Sequence, residues 1–192
     1  MKLLIASNNT HKIEEIKSIL NGRFEKIFSL SEMGVHCDPE ENGTTFAENA
    51  LIKAREVSKQ TNLPVLADDT GLCVDALNGA PGVFSARYAT TDGGHNDAAN
   101  RQKLLKELHG TTDRSAHFEC AVVLLYPDGK YVCSSGRVDG EILQEERGKN
   151  GFGYDSLFLA TELGKTFAEA DSEEKNKISH RGRALQALLK KL

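Results

Sequence analysis

An α/β fold with a mixed, twisted central β-sheet flanked by helices follows from three features of this 192-residue sequence. Short apolar runs suited to buried strands alternate with stretches of helical periodicity. Two strand-like segments, 117–126 and 130–137, flank Pro127-Asp128-Gly129, which is hairpin chemistry, so the sheet cannot be wholly parallel. No internal repeat, low-complexity tract or linker divides the chain, and its length suits one domain with a substantial core.

The elements follow in order. Residues 2–6 (KLLIA) read as a short buried strand. After a polar turn, Ile13, Ile16, Ile19 and Leu20 recur at helical spacing, and Gly22 is the stop. Residues 24–30 are a second strand and 36–43 a polar, turn-rich loop. Thr45-x-x-Glu48 is a capping box, followed by an apolar helical face of Ala47, Ala50, Leu51, Ala54 and Val57. A strand at 64–67 ends in Asp68-Asp69-Thr70-Gly71, with 72–74 continuing extended. The glycine-rich stretch 78–96 reads as a long surface loop with little regular structure. A helix from Asp97 to about His109 turns Leu104, Leu105 and Leu108 inward, and the hairpin follows. A further strand is expected near 138–143, then a second glycine-rich loop at 148–153 and a short strand at 157–159. The end is helical, with Leu185, Leu188, Leu189 and Leu192 on one stripe.

Composition narrows the function. No apolar run approaches the roughly 20 residues that span a bilayer, and the N-terminus turns polar too early for a secretory signal. The net charge of −4 argues against general nucleic-acid affinity, which needs a concentrated basic surface. It leaves room for a small anion met by a few placed Lys and Arg. Cys37, Cys73, Cys120 and Cys133 are scattered without a C-x-x-C, and read as inert reduced thiols of a cytoplasmic protein.

Four segments hold residues with chemistry. Ser7, Asn8, Asn9, Thr10, His11 and Lys12 lie between a strand and a helix N-terminus. Free amides and Lys12 there make a phosphate seat, though a plain capped turn fits the same residues. Asp68 and Asp69 adjoin each other where an apolar strand ends. Such carboxylates repel unless a cation or separate donors stabilise them, so the pair reads as a metal–phosphate site or as a turn before Gly71. Glu40 and Glu41 offer a further oxygen ligand for Mg²⁺, or form a solvated acidic loop. Gly151, Phe152, Gly153, Tyr154 and Asp155 offer a close backbone approach, an aromatic face for a base and an acceptor. The alternative is a β-turn with core aromatics. Lys175, His180 and Arg181 stand near the start of the last helix, where neighbours 180 and 181 cannot share one face.

Taken jointly, SNNTHK at 7–12, EENGTTFAENALIKA at 40–54, ADDTGL at 67–72, GAPGVFSARYA at 79–89, GFGYD at 151–155 and EEKNKISHRGRAL at 173–185 resemble the inosine triphosphate pyrophosphatase family over nearly the whole chain. The resemblance implies an elongated two-lobed domain whose cleft takes a nucleotide, and a homodimer. It implies hydrolysis of non-standard purine triphosphates (ITP, dITP, XTP) to monophosphate and pyrophosphate. It implies that Ser7, Asn8, Asn9, Thr10, His11 and Lys12 hold the triphosphate. Glu40 and Asp69 would bind Mg²⁺, with Mn²⁺ a possible substitute, and Asp69 would also be the base on water. Thr70, Phe152, Gly153, Tyr154, Asp155, Lys175, His180 and Arg181 would contact substrate, with Lys53 and Asp68 similarly placed. Two departures stand out: SNN replaces the frequent TGN, and Ser156 stands where a proline often follows FGYD.

A triphosphate carries roughly four negative charges near neutral pH, and attack by water needs them neutralised. Mg²⁺ with Lys12, Lys53 and Lys175 would do so. Donors at His180, Arg181 and the amides of 152–155 would accept a 6-oxo purine and reject a 6-amino one. Val83, Phe84 and Tyr88 are costly to expose together, which puts 79–89 at or near the dimer interface or the cleft mouth. Two rival readings are a Maf-type nucleotide pyrophosphatase and a nucleotide-binding regulator without turnover. FGYD plus SHR argues against the first, and the acidic residues at 40 and 69 argue against the second.

Overall fold

The structure is a computed structural model that describes residues 1–89 and 96–192. In chain order the elements are β1 (Lys2–Ile5), α1 (Thr10–Ile19), β2 (Lys26–Ser29), α2 (Leu30–Met33), α3 (Phe46–Ser58), β3 (Val65–Val74), α4 (Asp97–Glu107), β4 (Ser115–Leu125), β5 (Tyr131–Ile142), β6 (Phe158–Ala160), β7 (Lys165–Thr166), α5 (Ser172–Ile178) and α6 (His180–Leu189). Two 3-10 turns lie at Asp75–Leu77 and Gly82–Arg87. The strands hydrogen-bond in the order β2-β1-β3-β4-β5-β6-β7. β1 pairs parallel with β2 and β3, and β6 pairs antiparallel with β5 and β7, so the sheet is mixed as expected.

Local signals set the element boundaries. The Asn9 side chain caps α1, and Thr45 and Glu48 form the expected capping box on α3. A second box, Asp171 with Glu174, starts α5. Several expectations need correction. Segments 64–67 and 72–74 are one ten-residue strand, β3, and 130–137 and 138–143 likewise merge into β5. Cross-strand pairing carries the backbone straight through polar residues that look like turns in isolation. The loop expected at 78–96 contains a 3-10 turn, and its residues 90–95 lie outside the described ones. The terminal helix is two helices broken at Ser179, and Leu192 lies beyond α6 and is exposed.

The backbone groups into two compact units, both discontinuous in sequence: Met1–Asp69, Cys120–Gly136 and His180–Leu192 form the first, and Thr70–Glu119 with Arg137–Ser179 the second. In the first unit, alternate strand residues feed two separate cores. Leu3, Ile5, Leu66 and Val122 pack with Ile16 of α1 and Leu185 and Leu188 of α6. Leu4, Ala6, Val65, Ala67 and Val123 pack with Ala50, Ala54 and Val57 of α3. Strands buried on both faces read as unbroken apolar runs, which is why the sequence shows LLIA and VLA rather than alternation. Among the described residues no helix is long and apolar enough to cross a membrane.

The second unit has one core, in which Leu104 and Leu108 from the α4 end meet β3, β4, β5 and β6. At its centre Phe158 meets Phe118 edge-on, with ring centroids 4.7 Å apart, and Phe167 at 5.3 Å. Removing a buried aromatic leaves a cavity that neighbours fill only in part. Phe158→Ala should therefore destabilise the protein by about 3–5 kcal/mol. Urea denaturation measures this, and a loss below about 1 kcal/mol would show that the aromatic cluster is not what holds this unit.

Candidate active site

Asp68 and Asp69 occupy the middle of β3, not its end as the sequence suggests. Successive strand residues point to opposite faces, so the two carboxylates part company. Asp68 continues the Leu66 face toward α1 and α6, and Asp69 continues the Ala67 face toward α3. Each carboxylate then meets its own cations.

On the first face, Asp68 Oδ2 lies 3.1 Å from Lys12 Nζ and accepts from Arg181 Nε and Nη2 at 3.2 Å each. The Nη1 of Arg181 donates to Glu15. Lys12 and Glu15 are three apart on α1 and so share one face, while Arg181 comes from the first turn of α6. Arg181 is 1% exposed and Asp68 2%. Burial alone would raise the Asp68 pKa, but Lys12 and Arg181 outweigh it and hold the carboxyl well below the usual range. His180, also buried, opens α6 directly after Ser179, which ends α5.

On the second face, Asp69 accepts from Lys53 Nζ at Oδ1 and from Asn49 Nδ2 at Oδ2, both at 3.1 Å. Asn49 and Lys53 are four apart on α3, one turn above the other. Lys53 also lies 3.4 Å from Glu41 Oε1. Burial would lower the Lys53 pKa, yet Asp69, Asp68 and Glu41 together raise it. Glu40 is exposed, and Glu41 is the member of the pair that this lysine draws toward Asp69.

The strand–helix turn is largely occupied with itself. Asn9 Oδ1 accepts from Lys12 N at 3.2 Å, Ser7 Oγ accepts from Asn9 N at 3.2 Å, and Asn8 Nδ2 donates to Cys37 O at 2.7 Å. Thr10 and His11 are exposed on the first turn of α1, where the helix dipole favours an anion.

The second unit holds the remaining predicted residues. Lys175 Nζ donates to Asp155 Oδ2 at 2.6 Å, both side chains being nearly buried, and lies 4.9 Å from the Phe152 ring centroid. The same Asp155 oxygen accepts from Phe152 N at 3.0 Å. Gly151, at φ +74°, must be glycine: a Cβ there would run into the Asp155 carboxylate. Gly153 N donates to Asp97 Oδ2, and its carbonyl accepts from Arg101. Tyr154 is a core residue, 4% exposed, with its hydroxyl on Ser85 O, so its ring packs inside the unit. Thr70 Oγ1 donates to Glu119 O at 2.8 Å.

Sequence reasoning missed Glu15 and Asn49. Asn49 carried a usable signal, because it stands beside Ala50 on the stripe that continues through Ala54 and Val57, and a polar residue there needs partners. Glu15 looks like any exposed helix carboxylate. In the first unit, Lys12, Lys53 and Arg181 face Glu15, Glu41, Asp68 and Asp69, three cations against four carboxylates.

The two aspartates should differ in what they do for stability. Asp68→Asn leaves buried Arg181 and Lys12 short of a counter-charge and should cost about 3–5 kcal/mol. Asp69→Asn should cost less, because Lys53 keeps Glu41. Equal losses in urea denaturation of the two variants would contradict this division.

The Ham1 family profile matches residues 3–191. The chain is 49% identical to the dITP/XTP pyrophosphatase of Clostridium perfringens, covering 97% of this chain and 95% of that protein. It is 48% identical to the protein of the same name from Haemophilus influenzae, covering 100% and 98%. Among solved structures, a HAM1 protein from Coxiella burnetii superposes with a TM-score of 0.87 at 44% identity over the whole of both chains. The Staphylococcus aureus Ham1 protein does so with a TM-score of 0.85 at 44% identity, covering 100% and 99%. With the family profile spanning almost every residue and near-half identity over full length, this chain belongs to the Ham1 family.

Proposed function

We propose that this protein hydrolyses non-standard purine nucleoside triphosphates, dITP, XTP and ITP, to the monophosphate and pyrophosphate. The observation that carries the reading is Asp69, oriented by Asn49 and Lys53 beside Glu41, in a chain similar to proteins named dITP/XTP pyrophosphatase. Asp69 takes a proton from water as the water oxygen bonds to the α-phosphorus. The bond from that phosphorus to the bridging oxygen breaks, and pyrophosphate leaves with the electron pair. Lys12, at the N-terminus of α1, is the cation for the phosphates, and Asp68 with Arg181 holds it in place. Ser7, Asn8 and Asn9 shape that turn, while Thr10 and His11 present its first residues to the substrate.

A divalent cation fits the charge pattern. Three cations facing four carboxylates would repel a triphosphate unless positive charge is added. Among the described residues no three His, Cys, Asp or Glu side chains gather as a metal cage. Mg²⁺ suits that arrangement, because it is held by one or two carboxylates with water and substrate phosphates completing its shell. Asp69 and a glutamate of the 40–41 pair would hold it, Glu41 being the one drawn toward Asp69 by Lys53. When bound, Mg²⁺ supplies the charge neutralisation that the phosphate oxygens require.

Base recognition falls to Phe152, Lys175 and Thr70 of the second unit, where the amides of 152, 153 and 155 already donate within the protein and fix the loop. Donors there, such as the Lys175 ammonium, donate to a 6-oxo group, whereas a 6-amino group leaves donors facing each other at about 1–3 kcal/mol apiece. A panel of nucleotides assayed for pyrophosphate should show ITP, dITP and XTP turned over with kcat/KM about a hundredfold or more above ATP. Activity should vanish with EDTA and return with Mg²⁺, and Asp69→Asn should lose about a hundredfold or more in kcat. Equal use of ITP and ATP, or full activity after chelation, would overturn the reading.

The same reading makes the protein a cytoplasmic homodimer. Phe84, 58% exposed on a 3-10 turn, is the apolar side chain most in need of cover there, while Val83 and Tyr88 are half-buried. Light scattering at micromolar concentration should give twice the 21.0 kDa chain mass, and a single monomeric species would exclude the dimer.

A further inference from the structure

Asn49 is fully buried and makes two hydrogen bonds that point in different functional directions. Its Nδ2 donates to Asp69 Oδ2 at 3.1 Å, and its Oδ1 accepts from Gly43 N at 2.9 Å. Gly43 ends the acidic loop that carries Glu40 and Glu41, and that loop is fixed by side chains at two further points. Gln60 Nε2 donates to His36 O and Asn8 Nδ2 to Cys37 O, each at 2.7 Å. Gly43 approaches so closely that a Cβ there would come within 2.6 Å of Asn49 Oδ1 and 2.8 Å of Glu48 Cβ. A buried amide with donor and acceptor both engaged is held to one orientation.

We propose that Asn49 is a positioning residue that sets the Asp69 carboxylate and the Glu40–Glu41 loop against each other. The inference rests on the reading of Asp69 as base and metal ligand. The amide NH₂ can only donate, so it aims Asp69 Oδ2 and leaves Oδ1 to Lys53. The amide oxygen can only accept, so it fixes the loop at Gly43, two residues from Glu41. One side chain on α3 thereby spaces the base from the acidic side chain that shares Lys53 with it. Partners of this kind, which orient a ligand without touching substrate, change activity or metal affinity by about 10–100-fold when removed.

Two substitutions separate the two arms. Asn49→Asp keeps an acceptor for Gly43 N but removes the donor to Asp69. Its kcat at saturating Mg²⁺ should fall about 10–100-fold, with exchange of the residue 43 amide unchanged in metal-free protein. The added carboxylate would tighten Mg²⁺ if anything, so that loss is not loss of metal. Gly43→Ala breaks the loop arm, because its Cβ would crowd Asn49 Oδ1, and urea denaturation of the variant checks that it still folds. It should chiefly raise the Mg²⁺ concentration for half-activation, by about tenfold, and speed hydrogen exchange at residue 43. Asn49→Asp turning over within twofold of the parent would overturn the proposal. So would Gly43→Ala with exchange and Mg²⁺ dependence both unchanged, or both variants losing kcat alike with the same Mg²⁺ dependence. Asp69→Asn run in parallel separates the two levels. If it is inactive while Asn49→Asp is normal, only the positioning role fails. If it is active, the reaction assignment fails, and the residue 43 exchange still decides whether Asn49 holds the loop.

Discussion

Two carboxylates adjoin each other in the middle of a buried strand, and the first unit is organised around giving each its own cationic partners. Residues 68 and 69 would repel if they shared an environment. The pleat of β3 prevents that by sending them to opposite faces, where α1 and α6 supply Lys12 and Arg181 to one and α3 supplies Lys53 and Asn49 to the other. The alternation that divides the apolar cores, Leu66 on one side and Ala67 on the other, is the same alternation that divides the charges. Core packing and site electrostatics are thus set by one register.

This arrangement explains why the cluster tolerates so many buried charges. Removing one partner of a buried pair is expensive, because the other is left uncompensated. Here two of the three cations are shared: Arg181 between Asp68 and Glu15, and Lys53 between Asp69 and Glu41, while Lys12 joins Arg181 on Asp68. Lys12, Lys53 and Arg181 each already have a carboxylate partner, and the proposed function adds a divalent cation for that reason. The second unit solves a smaller version of the same problem, with Lys175 and Asp155 paired beside the rings of Phe152 and Phe167.

Much of the fold is legible in the sequence, and for identifiable reasons. Thr45 and Glu48 lie one turn apart and cap α3 as expected, and the apolar period of 185–189 marks α6. Such signals lie within a few residues of the structure they produce. Errors came where polar residues interrupt an apolar run. Asp68 to Gly71 looks like the end of a strand, yet neighbouring strands supply enough pairing to carry β3 straight through. Tyr154, legible as an aromatic in a glycine-rich loop, is a core ring, because Ser85, 69 residues away, takes its hydroxyl.

By itself, then, the sequence determined the mixed α/β class, most of the helices and strands, and the residue blocks that mark the family. Each of these depends on chemistry local to a short segment: apolar period, caps, turn residues, motif order. Only the tertiary structure decided which cation answers which carboxylate. Arg181 and Asp68 are 113 residues apart, Asn49 and Asp69 are 20 apart, and nothing in the spacing pairs them. It also decided that Glu41 is the acidic side chain drawn to Lys53, and that Asn49 joins the acidic loop to Asp69. Those choices depend on the faces of β3 and on which helix packs against each, and a face exists only once the strands have paired.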